Sequence, residues 1–166
     1  MTDIALLVVF PALMIGAAFS DLFTMTIPNR LAIALAAAFF IFAIALRMPA
    51  ASIGAHVVAG LVVLVVTFAL FAFGWIGGGD AKLAAATALW MGWENLADYL
   101  LISTIAGGGL TLLILYLRKW PLPASCLRQS WIARLHDKGA GVPYGIALAA
   151  AGLMLFPQTQ VWIAGA

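Results

Sequence analysis

The sequence predicts an all-α membrane protein, a bundle of about six transmembrane helices forming one domain over residues 1–166. Three observations predict it. The chain is 66% hydrophobic and only 8% charged, whereas a soluble domain carries about 25% charged residues. It therefore lacks the side chains for a water-facing surface, and the mean hydropathy of +1.14 agrees. Apolar runs of transmembrane length alternate with short polar breaks. Finally, the basic residues gather in alternate breaks, as the positive-inside rule requires.

The first span is Ile4–Ser20. Its start, Met-Thr-Asp, has no basic residue, so it reads as a retained helix rather than a cleaved signal peptide. The break "SDLFTMTIPN" follows, from Ser20 to Asn29. Pro28 stops one chain direction and Asn29 can cap the next helix. Span two is Leu31–Leu46, and Arg47-Met48-Pro49 makes a short turn. Span three, Ile53–Ile76, ends at Gly77-Gly78-Gly79, which holds a helix poorly. Span four, Ala81–Ala97, is short and is followed closely by polar residues, so it reads as a crossing or as a re-entrant segment. Span five is Tyr99–Leu117. Arg118–Val142 is the one long polar stretch, and Pro143–Ile163 is span six, where the missing Pro143 N–H costs little.

Charge decides the fourth span. If all six cross, Arg30, Lys82, Arg118, Lys119, Arg128, Arg134 and Lys138 share one side, and Arg47, Asp3 and Glu94 share the other. That asymmetry places both termini outside and the loop 118–142 in the cytoplasm. Trp75, Trp90, Trp93, Trp120 and Trp162 lie near predicted helix ends, as an interfacial belt requires. The net charge of +2 is too small for nucleic-acid binding. A single cysteine, Cys126, excludes an internal disulfide and a multi-cysteine zinc site. His56 and His136 are too far apart for metal-ligand spacing.

In this topology Asp21, which ends the first span, and Asp80, which opens the fourth, lie at the same membrane boundary. Each alone reads equally well as an ordinary interfacial acid. Together they suggest a shared task. Two apposed carboxylates cannot both ionise cheaply, so they titrate as a unit. One then takes a proton from water while the other donates to a carbonyl oxygen, which is the chemistry of peptide hydrolysis. Gly77, Gly78 and Gly79, lacking Cβ atoms, would let a substrate strand approach Asp80. They read equally as a flexible turn or a close packing contact.

"GGGDAKL" fits the Gly-x-Gly-Asp signature of membrane aspartic proteases, and "DLFTMTIPN" resembles the first-aspartate motif of type IV prepilin peptidases. "VPYGIALAAAGL", from Val142, resembles the last span of that family. The resemblance implies Asp21 and Asp80 as the catalytic pair, with no cofactor and no metal. It implies a partner that is a prepilin-like precursor with a basic leader and an apolar helix, cut at the cytoplasmic face of a bacterial inner membrane. The long form of the family has an insertion with paired cysteines and methylates the new N-terminus. This chain opens directly into span one and resembles the short, peptidase-only form found with tight-adherence (Flp) pili. It departs from the family at Phe23 and Met25, where members often carry basic residues.

Lys82, two residues after Asp80, points away from it on a helix. It reads as an anchor snorkelling to the interface, as a modulator of the dyad, or as a partner for a substrate acid. Members of the family tend to have lysine there. Tyr144 and Gly145 are expected near the site, with Pro143 before them. Glu94 and Asp98 fall on the opposite face, and Cys126 has no adjacent base. Gly107-Gly108-Gly109, and Gly74 with Gly78, are expected at close helix contacts. Loop 118–142 is basic enough to lie on anionic membrane lipid or to guide a substrate. Two other functions compete: a small ion- or proton-coupled transporter using the two acids, and a non-catalytic assembly factor.

Overall fold

The computed structural model describes residues 2–165, and the terminal residues Met1 and Ala166, expected on the outer side, lie outside it. The side chains of residues 2–7, Asp3 among them, and of Ala124 and Leu127 also lie outside it. The described residues form helices and connecting turns: α1 (Thr2–Thr24), α2 (Asn29–Ala45), α3 (Ala50–Ala72), α4 (Gly78–Leu117), α5 (Ala124–Leu127), α6 (Ser130–His136), α7 (Gly145–Leu155), a 3₁₀ turn (Phe156–Gln158) and α8 (Gln160–Gly165). α3 and α4 are long and apolar enough to cross a membrane, while Val8–Thr24, Asn29–Ala45 and Gly145–Gln158 are apolar but shorter. Ile41, Ile44, Val65, Phe68, Leu112 and Ile163 are each more than 60% exposed. These large apolar side chains point outward from helices that are apolar along their length.

α4 is the centre of the bundle, contacting α2, α3 and α7, while α1 packs on α2 and α7. A straight helix of its 40 residues would measure about 60 Å. It is instead broken at Gly92, where φ is 63° and ψ is −176°, a conformation essentially restricted to glycine. Both ends of α4 return to the end of the bundle that carries Asp21. Asp80, near its start, lines a cleft with Asp21. Arg118, just past its end, holds the carbonyls of Leu135 and Gly141, and the neighbouring Arg134 holds that of Phe23. The sequence placed this break at Ala97–Tyr99, where the charges are. The backbone breaks earlier because only Gly92 tolerates the required dihedrals.

The break is fastened by His56, on α3. Its Nδ1 lies 2.6 Å from the Leu89 carbonyl, so it donates there. In a continuous helix that carbonyl would accept from residue 93. His56 is buried, stacks on Phe39, and occupies the space a Cβ at Gly92 would need. Gln160 joins the same cluster, donating to Glu94 and accepting from Ser52. The last apolar segment is also interrupted. α7 stops before Pro157, and Thr159 accepts from Trp162 N–H to restart the chain as α8.

The core lies between α1, α2, α4, α7 and the 3₁₀ turn, with Ala59 and Val63 of α3 at its side. Trp90 is completely buried, close to the rings of Phe10, Phe39, Phe42 and Phe156, with its indole N–H on the Leu35 carbonyl at 3.0 Å. That corrects its expected place in an interfacial belt. Its N–H finds a backbone acceptor, so the ring can enter the core without an unpaired donor. Trp75, Trp93 and Trp120 are exposed, whereas Trp162 is half-buried against Phe156.

Gly92→Ala is expected to cost about 1–3 kcal/mol from backbone strain alone, with a collision against His56 added. Thermal unfolding in detergent measures this, and a melting temperature equal to that of the parent protein would disprove it.

Candidate functional site

α1 ends in a built cap. Thr24 closes the helix and Met25 adopts a left-handed conformation at φ 54°, with its N–H on the Asp21 carbonyl at 2.8 Å. This is an αL helix ending on a non-glycine residue. The chain then folds back. Ser20 Oγ donates to the Thr26 carbonyl at 2.8 Å, and Thr24 Oγ1 lies 2.7 Å from Thr26 Oγ1. These hydroxyls hold residues 25–28 as one wall of a cleft of about 270 Å³, lined by Asp21, Met25, Thr26, Ile27, Gly77, Gly78, Gly79 and Asp80.

Asp21 is 5% exposed. Its Oδ2 accepts the Gly145 N–H at 2.7 Å, so a helix N-terminus from the far end of the chain points a donor at it. Gly145 must lack a side chain for this. A Cβ there would lie 2.7 Å from Ile27 Cδ1 and 2.8 Å from the carboxylate oxygen itself. Tyr144 sets the start of α7. Its hydroxyl donates to the Ser103 carbonyl at 3.2 Å, and its ring fills the space where a Cβ of Gly107 would be. Pro143 is buried, and its carbonyl accepts the Ile146 N–H at 3.3 Å.

Asp80 sits in the first turn of α4, with Gly77 as the N-cap residue. Its Oδ1 is buried without a hydrogen-bond partner. A buried carboxylate oxygen left so is costly unless it carries or receives a proton. The three glycines serve packing. A Cβ on Gly79 would come within 3.1 Å of Ile27 Cβ, one on Gly78 within 3.1 Å of the Phe71 ring, and one on Gly77 within 2.8 Å of Asp80 Oδ2. Close packing is thus in use at Gly78 and Gly79, and it brings Asp80 to the Ile27 wall, while all three glycines line the cleft.

Lys82 and Asn29 were singled out separately in the sequence and meet in the structure. Lys82 Nζ donates to Asn29 Oδ1 at 2.8 Å. Asn29 is the first residue of α2, preceded by Pro28 at the N-cap position, and makes no side-chain cap bond. Its amide serves the lysine instead of the helix end. Phe23, apolar where basic residues were expected by resemblance, packs edge-on against Trp131 at 5.4 Å, and its carbonyl accepts from Arg134 at 3.0 Å. Arg118 is buried by its two carbonyl contacts. Two of the loop's basic residues are thereby spent on fastening the loop to the bundle.

The other acids and the thiol singled out from the sequence lie elsewhere. Glu94 pairs with Gln160 in the cluster at the opposite end, and Asp98 is exposed. Cys126 is a free thiol. Among the described residues no cluster of three potential metal ligands occurs. Of the expected glycine contacts, Gly107 is one, whereas Gly74, Gly108 and Gly109 face open space.

Residues 8–112, more than half of the chain, match the family model described as the type IV leader peptidase family. No curated protein and no solved structure matches. The matched stretch contains both aspartates but stops short of Tyr144 and Gly145.

The notch at Gly107 gives a direct test. Gly107→Ala should cost about 1–3 kcal/mol by overpacking against Tyr144. Gly108→Ala and Gly109→Ala should be neutral or stabilising, since alanine favours the helix by about 1 kcal/mol. Equal melting temperatures for all three variants would disprove the notch.

Proposed function

The chain belongs to the type IV leader peptidase family, and from that premise we propose that it is a membrane aspartic endopeptidase whose catalytic pair is Asp21 and Asp80. The observation that carries this reading is the single cleft holding both carboxylates, one donor-bound and one with a bare oxygen. In the proposed cycle the ionised carboxylate takes a proton from water as the water oxygen attacks the peptide carbonyl carbon. The protonated carboxylate gives its proton to the carbonyl oxygen. The resulting gem-diol returns a proton to that second carboxylate as the carbonyl re-forms. The C–N bond breaks, and the leaving nitrogen takes the proton drawn from water. The dyad ends as it began, with one proton. The Gly145 N–H holds Asp21 in place throughout.

The substrate in this reading is a prepilin-like precursor. Its basic leader lies at the membrane boundary, and its apolar helix lies in the bilayer. The protein crosses the membrane six times, with α1, α2, α3, the two halves of α4 and the segment Gly145–Gln158 as the crossings. Both termini are outside, and the loop 118–142 lies in the cytoplasm. The support is the gathering of Arg118, Arg134 and Lys82 at the end of the bundle that carries the aspartates. Reporter fusions at Ala166 and at Gln129 should report opposite sides of the membrane, and the same side for both would overturn this topology.

Asp21→Asn and Asp80→Asn should each abolish cleavage of such a precursor while the protein still accumulates in the membrane. An amide neither takes nor gives the proton, and general acid–base catalysis alone contributes about 10² to 10⁴ in rate. Glu94→Gln, Asp98→Asn and Cys126→Ser should leave cleavage intact. The gel shift of the precursor, with immunoblotting of each variant, measures this. A loss smaller than about tenfold in either Asp→Asn variant would not fit the dyad.

A further inference from the structure

We infer that the lateral groove between α2, α3 and α4 seats the apolar helix of the substrate, just beyond the bond that is cut. This rests on the peptidase reading above. α2 and α3 each pack on α4, and the gap between them is a groove of about 510 Å³. Ala85 and Ala86 of α4 line it with Ala32 and Ala36 of α2 and with Gly60 and Leu61 of α3. The alanines on its α2 and α4 walls let a docked helix backbone approach closely, which is how helices associate in a bilayer where no hydrophobic force drives them together, while Ile33, Phe40, Val57, Leu61, Leu64 and Leu89 supply larger apolar contacts.

The groove is polar at one end only, where Lys82 donates to Asn29. That end adjoins the catalytic cleft. Lys82 lies two residues past Asp80, and Asn29 two residues past Ile27, which lines the cleft. A substrate strand leaving the cleft past Ile27 and Asp80 therefore enters the groove. From Asn29 to Phe40, α2 rises about 16 Å, so the groove covers about three turns of a docked helix. This is the path a substrate must have if its apolar helix follows the cleaved bond. A second apolar groove, between α1 and α7 and of about 310 Å³, contains Ala18 and Ala150 and has no polar residue among those lining it. A lipid acyl chain is the competing occupant of the larger groove.

The test uses the full chain in membrane vesicles and a precursor with a lysine-rich leader, a glycine at the cleavage site and an apolar helix of about 20 residues. A photo-cross-linking residue is placed at Ala36 or Leu61, and for comparison at Ala18 or Ala150, in the uncleaving Asp21→Asn background. The expected result is a cross-link to the precursor's helix from Ala36 and Leu61, at least about tenfold stronger than from Ala18 and Ala150. Cross-links to lipid alone, or equal yields from both grooves, would overturn the assignment. The cross-link is scored without cleavage, so failure of the parent enzyme to cut the precursor would sink the peptidase reading and leave the groove to be decided separately. In the active enzyme, Leu61→Trp, which narrows the groove, should raise KM for the precursor about tenfold with kcat within about twofold. An unchanged KM would also overturn the assignment.

Discussion

The buried hydrogen bond from the Gly145 N–H to Asp21 Oδ2 is the constraint on which the site depends. It joins the first helix to the last apolar segment. It also has steric conditions on every side. Gly145 must have no Cβ, because Ile27 and the carboxylate already occupy that space. The start of α7 must stay where Tyr144 holds it, and Tyr144 can stay only because Gly107 leaves room for its ring. An unpaired carboxylate in such surroundings would be costly. The backbone donor offsets that cost without introducing a second charge beside the carboxylate.

The Asp80 side of the cleft is arranged by different means. Gly79 lets the start of α4 reach the Ile27 backbone, and the Ser20 and Thr24 hydroxyls keep the opposing loop from straying. The two aspartates therefore come together through missing side chains on one wall and short hydroxyl side chains on the other. Long charged residues take part only at the margin, where Lys82 meets Asn29 and Arg134 reaches the Phe23 carbonyl.

Much of this was legible in the sequence. The two acids, the glycine run and the turn at Pro28 are local signals, although Gly78 and Gly79, expected to hold a helix poorly, form the first turn of α4. What escaped was set by partners distant in sequence. Nothing near Gly92 marks it as the break in α4, because its reason is the His56 ring on another helix. Trp90 sits near a helix end in sequence, yet the Leu35 carbonyl draws it into the core. Asn29 follows Pro28 as a cap residue would, and it bonds a lysine instead. Of the three glycines at 107–109, only the spatial position of Tyr144 distinguishes Gly107.

The break at Gly92 also makes the first half of α4 a ruler. One end is pinned by His56 at the opposite end of the bundle, and the other end presents Asp80 to the cleft. A helix couples length to bearing. One inserted residue would lift Asp80 by about 1.5 Å and swing it about 100° around the axis, away from Asp21. Two whole turns, about seven residues, would restore the bearing but leave the carboxylate about 10 Å out of reach. The stretch between Asp80 and Gly92 is therefore closed to insertion and deletion, whereas the surface loop beyond Arg118 is a connection of the kind that takes up changes in length.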